Sequence, residues 1–172
     1  MSLEVLWAGW RNEYVTGAAT NQAGTDGPGS EHCVFCRIAA SGPPSPDNGV
    51  LWRGTHTLAV LNAYPYSNGH LMVVPLRHVQ SLTELTGEEG AEMWETTTVA
   101  TVALGTAFHP EGINLGANLG RAAGAGIPRH LHLHAVPRWV GDTNFMTAVA
   151  GVRVLPESLP ATWERLHAAW PS

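Results

Sequence analysis

The sequence contains little charge. Only 13% of its 172 residues are Asp, Glu, Lys or Arg, and the formal net charge is −5. Broad electrostatic capture of nucleic acid or of an anionic membrane requires a basic surface, which this composition does not supply. We therefore expect no nucleic acid and no membrane among the partners, and a phosphate-bearing ligand must be held by local groups.

Long hydrophobic runs are also lacking. No stretch approaches the roughly 18 apolar residues that a membrane span needs, and no basic segment leads into an apolar one as in a secretory leader. A cytoplasmic location is the expectation. The length and the 44% hydrophobic content suit one domain, residues 1–172, with its own core.

Cysteine is scarce, and both residues, Cys33 and Cys36, fall in one C-x-x-C pair. In a reducing compartment such a pair binds metal or does redox work more often than it forms a structural disulfide. Before it, residues 17–30 are rich in Gly, Ala, Thr and Asn and predict a mobile loop. Residues 6–15 are rich in large apolar side chains, so we expect them to pack onto the domain or a partner subunit.

Periodicity predicts the secondary structure. Residues 49–53, 57–61 and 70–75 are strand-like runs separated by short turns, which indicates an antiparallel meander. A helix should begin after Thr86, with Glu89 at capping-box spacing, and end near residues 109–110. Two further strands at 113–118 and 130–136 and an amphipathic helix over 159–170 complete the prediction.

Three histidines alternate with leucines in the run His130-Leu131-His132-Leu133-His134. In an extended strand, side chains two residues apart share a face, so the three imidazoles should lie together with the leucines towards the core. Imidazole, with an ordinary pKa of about 6.5, serves as a nucleophile, an acid or a metal ligand near neutral pH. A chance surface feature and a catalytic metal site built on the H-x-H pair are the alternatives.

Two neighbouring segments add to this pattern. A glycine-rich loop, residues 116–126, leads directly into the histidines, and its backbone N–H groups could converge on phosphate oxygens. Asn62 and His70 flank a short turn and can face one pocket. On the residues alone, Asn62 could equally be a turn former and His70 a core histidine.

Several motifs together carry a family resemblance. Residues 130–136 match an H-φ-H-φ-H-φ-φ signature and residues 62–70 match N-x-x-P-x-x-x-G-H, with further matches at 118–120, 136–139 and 141–146. On these residues the chain resembles the histidine triad (HIT) superfamily of nucleotide hydrolases and transferases. Within the superfamily it resembles the branch that includes bacterial diadenosine tetraphosphate phosphorylases and fragile-histidine-triad-like proteins.

The resemblance implies a fold and a reaction. The fold is α+β, a sheet of about five antiparallel strands with one long and one short helix, and a homodimer joins two such sheets. The reaction is cleavage of dinucleoside polyphosphates, by phosphorolysis or hydrolysis, through a nucleotidyl-His132 intermediate. His134 would bond the phosphate or leaving-group oxygens and His70 would support the nucleophile and its neighbours. Asn62 would hold the ribose and Asn118 the phosphate.

A structural zinc site is also implied by the resemblance, with Cys33, Cys36, His78 and His130 as ligands. Cys₂His₂ suits closed tetrahedral zinc. Free thiols, a reversible disulfide and His32 as a competing ligand stay open. Mg²⁺ is expected only as a companion of the bound nucleotide.

One departure from the family pattern concerns the second reaction step, in which water or inorganic phosphate attacks the nucleotidyl-His132 intermediate. Gly126 stands where many hydrolases of the family carry Gln, and Ile127 where a hydroxyl residue is common. With Gly124, these two are the expected substrate contacts of the glycine-rich loop. Without this Gln, inorganic phosphate is an alternative to water as the nucleophile of the second step. A nucleoside phosphoramidate hydrolase, a metal-dependent hydrolase and a non-catalytic nucleotide-binding module are the alternative functions.

Overall fold

The structure, a computed structural model, describes residues 33–142 and 157–171. The expectations for residues 6–15, for the loop at 17–30, for His32 and for the motif residues 143–146 lie outside this part of the chain. The described helices and strands are, in chain order, α1 (Val34–Ala39), β1 (Val50–Arg53), β2 (Thr57–Leu61), β3 (Leu71–Pro75), α2 (Gly87–Phe108), β4 (Gly112–Gly116), β5 (Leu133–Arg138) and α3 (Leu159–Ala169). Single 3₁₀ turns occur at Leu82–Glu84 and Arg121–Ala123.

The five strands form one sheet in the order β1-β2-β3-β5-β4, and every neighbouring pair is antiparallel. The predicted α+β fold with a long and a short helix is confirmed, whereas the six-residue helix α1 was not predicted. Within the described ranges, none of the helices has both the length and the apolar character that a bilayer span requires.

Alternation along the central strands separates two apolar layers. Ala59, Leu71 and Val73 point to the face covered by α2 and α3, while Val60 and Met72 point to the opposite face, where α1 packs. Antiparallel partners project to the same side, and the partner of Met72 is His134. The imidazole of His134 therefore lies on the α1 face of the sheet.

Helix α2 begins and ends as its sequence predicts. The Thr86 side chain accepts from the Glu89 N–H and the Glu89 carboxylate accepts from the Thr86 N–H, so the capping box is complete. The helix ends at Phe108. Thr96, Thr97 and Thr98 are β-branched and therefore weak helix formers, but each has a hydrogen-bond partner. Thr97, for example, is buried and donates its hydroxyl to the Met93 carbonyl.

The histidine strand starts later than predicted. Strand β5 begins at Leu133, so the first two histidines precede the regular sheet. The Leu131 N–H donates instead to the Val79 carbonyl, 2.7 Å away, and the His130 ring turns towards the cysteine pair. The predicted common face of the histidines is kept nevertheless: Phe35 on the α1 side contacts both His130 and His132, while Leu131 and Leu133 pack into the core on the other side.

The Arg77–Glu89 ion pair ties the start of α2 to the segment after β3, and it should make stability depend on pH. Glu89 is buried, and the hydrogen bond from Arg77 together with the Thr86 N–H lowers its pKa from 4.5 to about 2. Since the folded pKa lies below the unfolded one, this stabilisation is complete above about pH 4.5 and is lost as the pH falls towards 2.

Glu89→Gln should therefore lower the free energy of unfolding at pH 7 by about 1 kcal/mol, because the amide keeps the cap and loses the charge. The deficit should shrink as the pH falls from 4.5 towards 2. Urea unfolding across this range measures it, with the exposed Glu95→Gln on the same helix as control. A Glu89→Gln deficit that stays constant with pH would contradict the assignment.

Candidate active site

Two cysteines and two histidines meet where α1 packs against the sheet. Cys33 precedes α1 and its Sγ lies 3.3 Å from His130 Nδ1, while Cys36 Sγ lies 3.2 Å from His78 Nδ1. The four potential ligand atoms all lie within 4.8 Å of one another. Two thiols and two imidazoles at this spacing form a donor set suited to a tetrahedral ion such as Zn²⁺.

Hydrogen bonding prepares His130 as a ligand in this cluster. Its Nε2–H donates to the Pro75 carbonyl at 2.8 Å, which leaves the Nδ1 lone pair directed at the thiols. Burial lowers the pKa of His130 to about 4, so the ring is neutral at pH 7. Burial raises the pKa of the Cys36 thiol to about 11, so it needs a nearby cation to become the thiolate ligand. The residues present therefore fit a bound metal ion.

The middle histidine has its tautomer fixed by the backbone. His132 Nδ1 lies 2.7 Å from the carbonyl oxygen of His130, which can only accept, so Nδ1 carries the proton. The lone pair is then on Nε2. Burial lowers the pKa of His132, which favours the neutral ring. The ring packs against Phe35 and His134 with centroid separations of 5.1 and 4.9 Å.

A second chain of hydrogen bonds orients His134. The Tyr66 N–H donates to His70 Nδ1 at 3.0 Å, so His70 carries its proton on Nε2 and donates it to His134 Nδ1 at 2.9 Å. His134 must then bear its own proton on Nε2. Burial and the neighbouring His132 lower the pKa of His134 to about 4, so at pH 7 this Nε2–H is a neutral donor.

Asn62 joins the cluster from the end of β2. Its Nδ2 lies 3.4 Å from both ring nitrogens of His70, and its Oδ1 accepts from the Tyr64 N–H. Gly69 permits the turn between them, because it has a φ of +81° and a Cβ there would lie 2.9 Å from the Phe108 ring. The sequence predicted that Asn62 and His70 face one pocket, and in the structure their side chains are neighbours.

The remaining predicted substrate contacts lie along the segment between β4 and the histidines. Asn118 is half-buried and makes no hydrogen bond to the described part of the chain. Gly124 adopts a left-handed φ of +86°, which favours glycine. Ile127, just after Gly126, packs its side chain against the core on the α1 face. The structure therefore brings the catalytic and metal-ligand candidates close together. For Asn118, Gly124, Gly126 and Ile127, contact with the substrate stays a prediction.

Sequence reasoning missed three contributors to the site. Phe35 lies between the two cysteines and contacts His130 and His132. The carbonyl of Pro75 fixes the tautomer of His130, and the N–H of Tyr66 fixes that of His70. An aromatic residue inside the C-x-x-C spacing was a usable signal for Phe35, whereas backbone groups leave no residue-type signature.

Comparison with known families identifies the class of protein. The HIT domain family matches residues 45–140, which include β1 to β5 and all three histidines of the run. The chain belongs to the HIT domain family.

Two relatives carry named activities. An AP-4-A phosphorylase of Mycobacterium tuberculosis is 46% identical over 121 residues, which cover 70% of this chain and 62% of the relative. The adenosine 5'-monophosphoramidase of Schizosaccharomyces pombe is 28% identical, over 78% of this chain and 95% of its own length. The chain thus spans less than two thirds of the mycobacterial relative.

Solved structures agree with the fold. A zinc-bound histidine triad family protein from Mycobacterium smegmatis superposes with a TM-score of 0.64 at 30% identity, covering 80% of this chain and 92% of that one. A HIT family member from Bacillus subtilis gives a TM-score of 0.58 at 31% identity, covering 64% of this chain and 76% of the other.

Proposed function

We propose that this protein is a nucleotidyl transferase or hydrolase that cleaves dinucleoside polyphosphates such as diadenosine tetraphosphate, with His132 as the nucleophile. One observation carries the proposal: the 2.7 Å hydrogen bond from His132 Nδ1–H to the His130 carbonyl leaves the Nε2 lone pair for attack. The AP-4-A phosphorylase relative supports the substrate class.

In the first step His132 Nε2 forms a bond to the α-phosphorus, and the bond from that phosphorus to the bridging oxygen breaks. Its electron pair stays with the departing nucleotide, which leaves as an anion and needs no proton. The His134 Nε2–H donates to the phosphoryl or leaving oxygen and stabilises the charge that develops there. The His130 carbonyl accepts from Nδ1–H and stabilises the positively charged nucleotidyl-imidazole.

In this proposal the residues around the histidines bind and position the substrate. We assign the ribose to Asn62, which lies beside His70 at the end of β2, and the phosphates to Asn118. Backbone groups of Gly124, Gly126 and Ile127 complete the phosphate site. His70 is a supporting group for His134, since its hydrogen bond goes to that ring.

The tautomers favour inorganic phosphate over water as the second nucleophile. Water has to lose a proton as it attacks, but the acceptor nitrogen of His70 is taken by Tyr66 N–H and that of His134 by His70. Phosphate dianion attacks without losing a proton, releases the His132 lone pair and gives a nucleoside diphosphate. This agrees with the name of the mycobacterial relative.

Incubation of the pure protein with diadenosine tetraphosphate, with and without inorganic phosphate, tests the proposal. We expect ADP and ATP, formed faster by about 10-fold or more when millimolar phosphate is present. AMP and ATP at a phosphate-independent rate would show hydrolysis and contradict phosphorolysis. Adenosine 5'-phosphoramidate in the same assay tests the alternative that the Schizosaccharomyces pombe relative suggests.

We further propose that Cys33, Cys36, His78 and His130 hold a structural Zn²⁺, which the zinc-bound neighbour supports. Bound there, the ion would cross-link the start of α1, which supplies Cys33 and Cys36, to the later segments that carry His78 and His130, and no reaction step passes through it. His134 accepts from His70 at Nδ1 and carries its proton on Nε2, so it has no free lone pair for a metal ion, which argues against a metal-dependent hydrolase built on His132 and His134. Mg²⁺ is not part of the proposal, because nothing in the described residues supports it.

A homodimer that joins two sheets is the expected assembly. Strand β4 is an edge of the sheet, and four of its five residues are exposed. Such an edge offers unpaired backbone groups to a second copy. The partners we propose are therefore a nucleotide substrate and a second copy of the chain.

A further inference from the structure

The aromatic ring of Tyr66 covers the pair formed by His70 and His134. Its centroid lies 4.6 Å from that of His70 and 6.2 Å from that of His134, and its plane is within 27° of the His134 plane. The residue is 49% exposed, whereas Tyr64 in the same turn is 83% exposed. One tyrosine of the turn therefore packs on the imidazoles and the other faces solvent.

Tyr66 acts on the imidazoles through two separate groups. Its backbone N–H donates to His70 Nδ1 and sets the tautomers of both histidines. Its ring lies against their faces. The terminal torsion of a histidine is intrinsically broad, so a ring held mainly by one hydrogen bond can swing about it. Packing against a flat aromatic surface removes this freedom.

His134 needs such support more than its neighbours do. His70 and His132 are 1% and 5% exposed and are enclosed by the fold, whereas His134 is only half-buried. One side of the His134 ring meets His132 edge to face, with the planes at 80°. Tyr66 is the stacked aromatic neighbour that His134 has within the described residues.

We propose that the Tyr66 side chain is a positioning residue for His134, which keeps the His134 Nε2–H aimed at the phosphoryl and leaving oxygens. This inference rests on the proposed function for its consequence in catalysis, and on geometry alone for the order of the His134 ring. Tyr66 acts through His134 and does not itself contact the reacting atoms.

Three variants separate the ring from the backbone and from the hydroxyl. Tyr66→Leu removes the aromatic surface and keeps the N–H, Tyr66→Phe keeps the surface and removes the hydroxyl, and Tyr64→Leu is the matched control in the same turn. With diadenosine tetraphosphate, we expect Tyr66→Leu to lower kcat about 10-fold with KM changed less than about 2-fold. Tyr66→Phe should recover most of the loss, and Tyr64→Leu should match the wild type.

A readout without substrate makes the inference independent of the reaction. In ¹⁵N NMR spectra of the imidazoles, His134 should show a protonated Nε2 and an unprotonated Nδ1 in the wild type, in Tyr66→Phe and in Tyr64→Leu. In Tyr66→Leu the two His134 nitrogen signals should broaden or move towards each other. Circular dichroism checks folding, and Tyr66→Met replaces Tyr66→Leu if the latter does not fold.

The outcomes distinguish this inference from the proposed function. Unchanged His134 signals in Tyr66→Leu would overturn the positioning role, as would a Tyr66→Phe variant that is as defective as Tyr66→Leu. A raised KM with unchanged kcat would also overturn it and would make Tyr66 a substrate contact. Wild-type protein without turnover, combined with altered His134 signals in Tyr66→Leu, would refute the proposed reaction and support the positioning of the ring.

Discussion

His132→Ala should lower the turnover of diadenosine tetraphosphate by at least about 1,000-fold, because no other group supplies the lone pair that forms the covalent intermediate. Nucleotide binding should stay measurable, since the alanine removes the nucleophile and leaves Asn62 and His134 in place. Product formation by chromatography gives the rate, and titration calorimetry gives the affinity for the substrate.

An exposed histidine provides the matched control for this experiment. His109 caps the C-terminus of α2 with a left-handed backbone, so Asn is the substitution that tolerates its φ of 47°. His109→Asn should keep wild-type turnover. Denaturing mass spectrometry of quenched wild-type enzyme should detect a nucleotidyl adduct on His132. Substantial activity in His132→Ala, or an adduct on another residue, would refute the assignment.

Cys36→Ser should abolish zinc binding and lower the melting temperature by about 10 °C. A tightly bound ion that is absent from the unfolded chain stabilises the fold by its binding free energy, and a loss of about 3 kcal/mol corresponds to this shift in a domain of this size. Metal analysis of the purified protein gives the zinc content, and a thermal scan gives the stability. Added chelator should lower the melting temperature of the wild type and leave that of Cys36→Ser unchanged.

A ligand swap distinguishes lost coordination from lost packing. His78→Cys keeps four donors as Cys₃His, which is also a zinc-binding set, and His78 is only half-buried. This variant should retain about one zinc per chain and most of the wild-type stability, unlike Cys36→Ser. Wild-type protein purified without zinc and insensitive to chelator would contradict the structural metal site.

The fold could be read from the sequence where local signals were strong. The Thr86 and Glu89 pair predicted the start of α2, and a strand-like run between turn residues predicted β2 at its observed bounds. Helix α1 was missed because six residues are too few for a periodic pattern. Length and capping residues therefore decided which elements the sequence revealed.

The residues of the candidate site were easier to predict than their geometry. The histidines and cysteines stood out as residue types with known chemistry. Spacing alone did not show that the His130 ring has different partners from the other two histidines, because those partners are the Pro75 carbonyl and cysteines almost a hundred positions away. Nor did it reveal Tyr66, since the tyrosine that packs and the one that faces solvent differ only in their surroundings.

The peptide unit of His130 has a consequence for how this protein can vary. The imidazole of that residue belongs to the cysteine cluster, while its carbonyl oxygen accepts the Nδ1–H of His132, the proposed nucleophile. A shift of the backbone at His130 would therefore change the geometry of the cysteine cluster and of the His132 site together. If the cluster holds the proposed zinc, related proteins that lose its ligands need another anchor for the same carbonyl, so we expect that loss to be accompanied by substitutions that fill the vacated space.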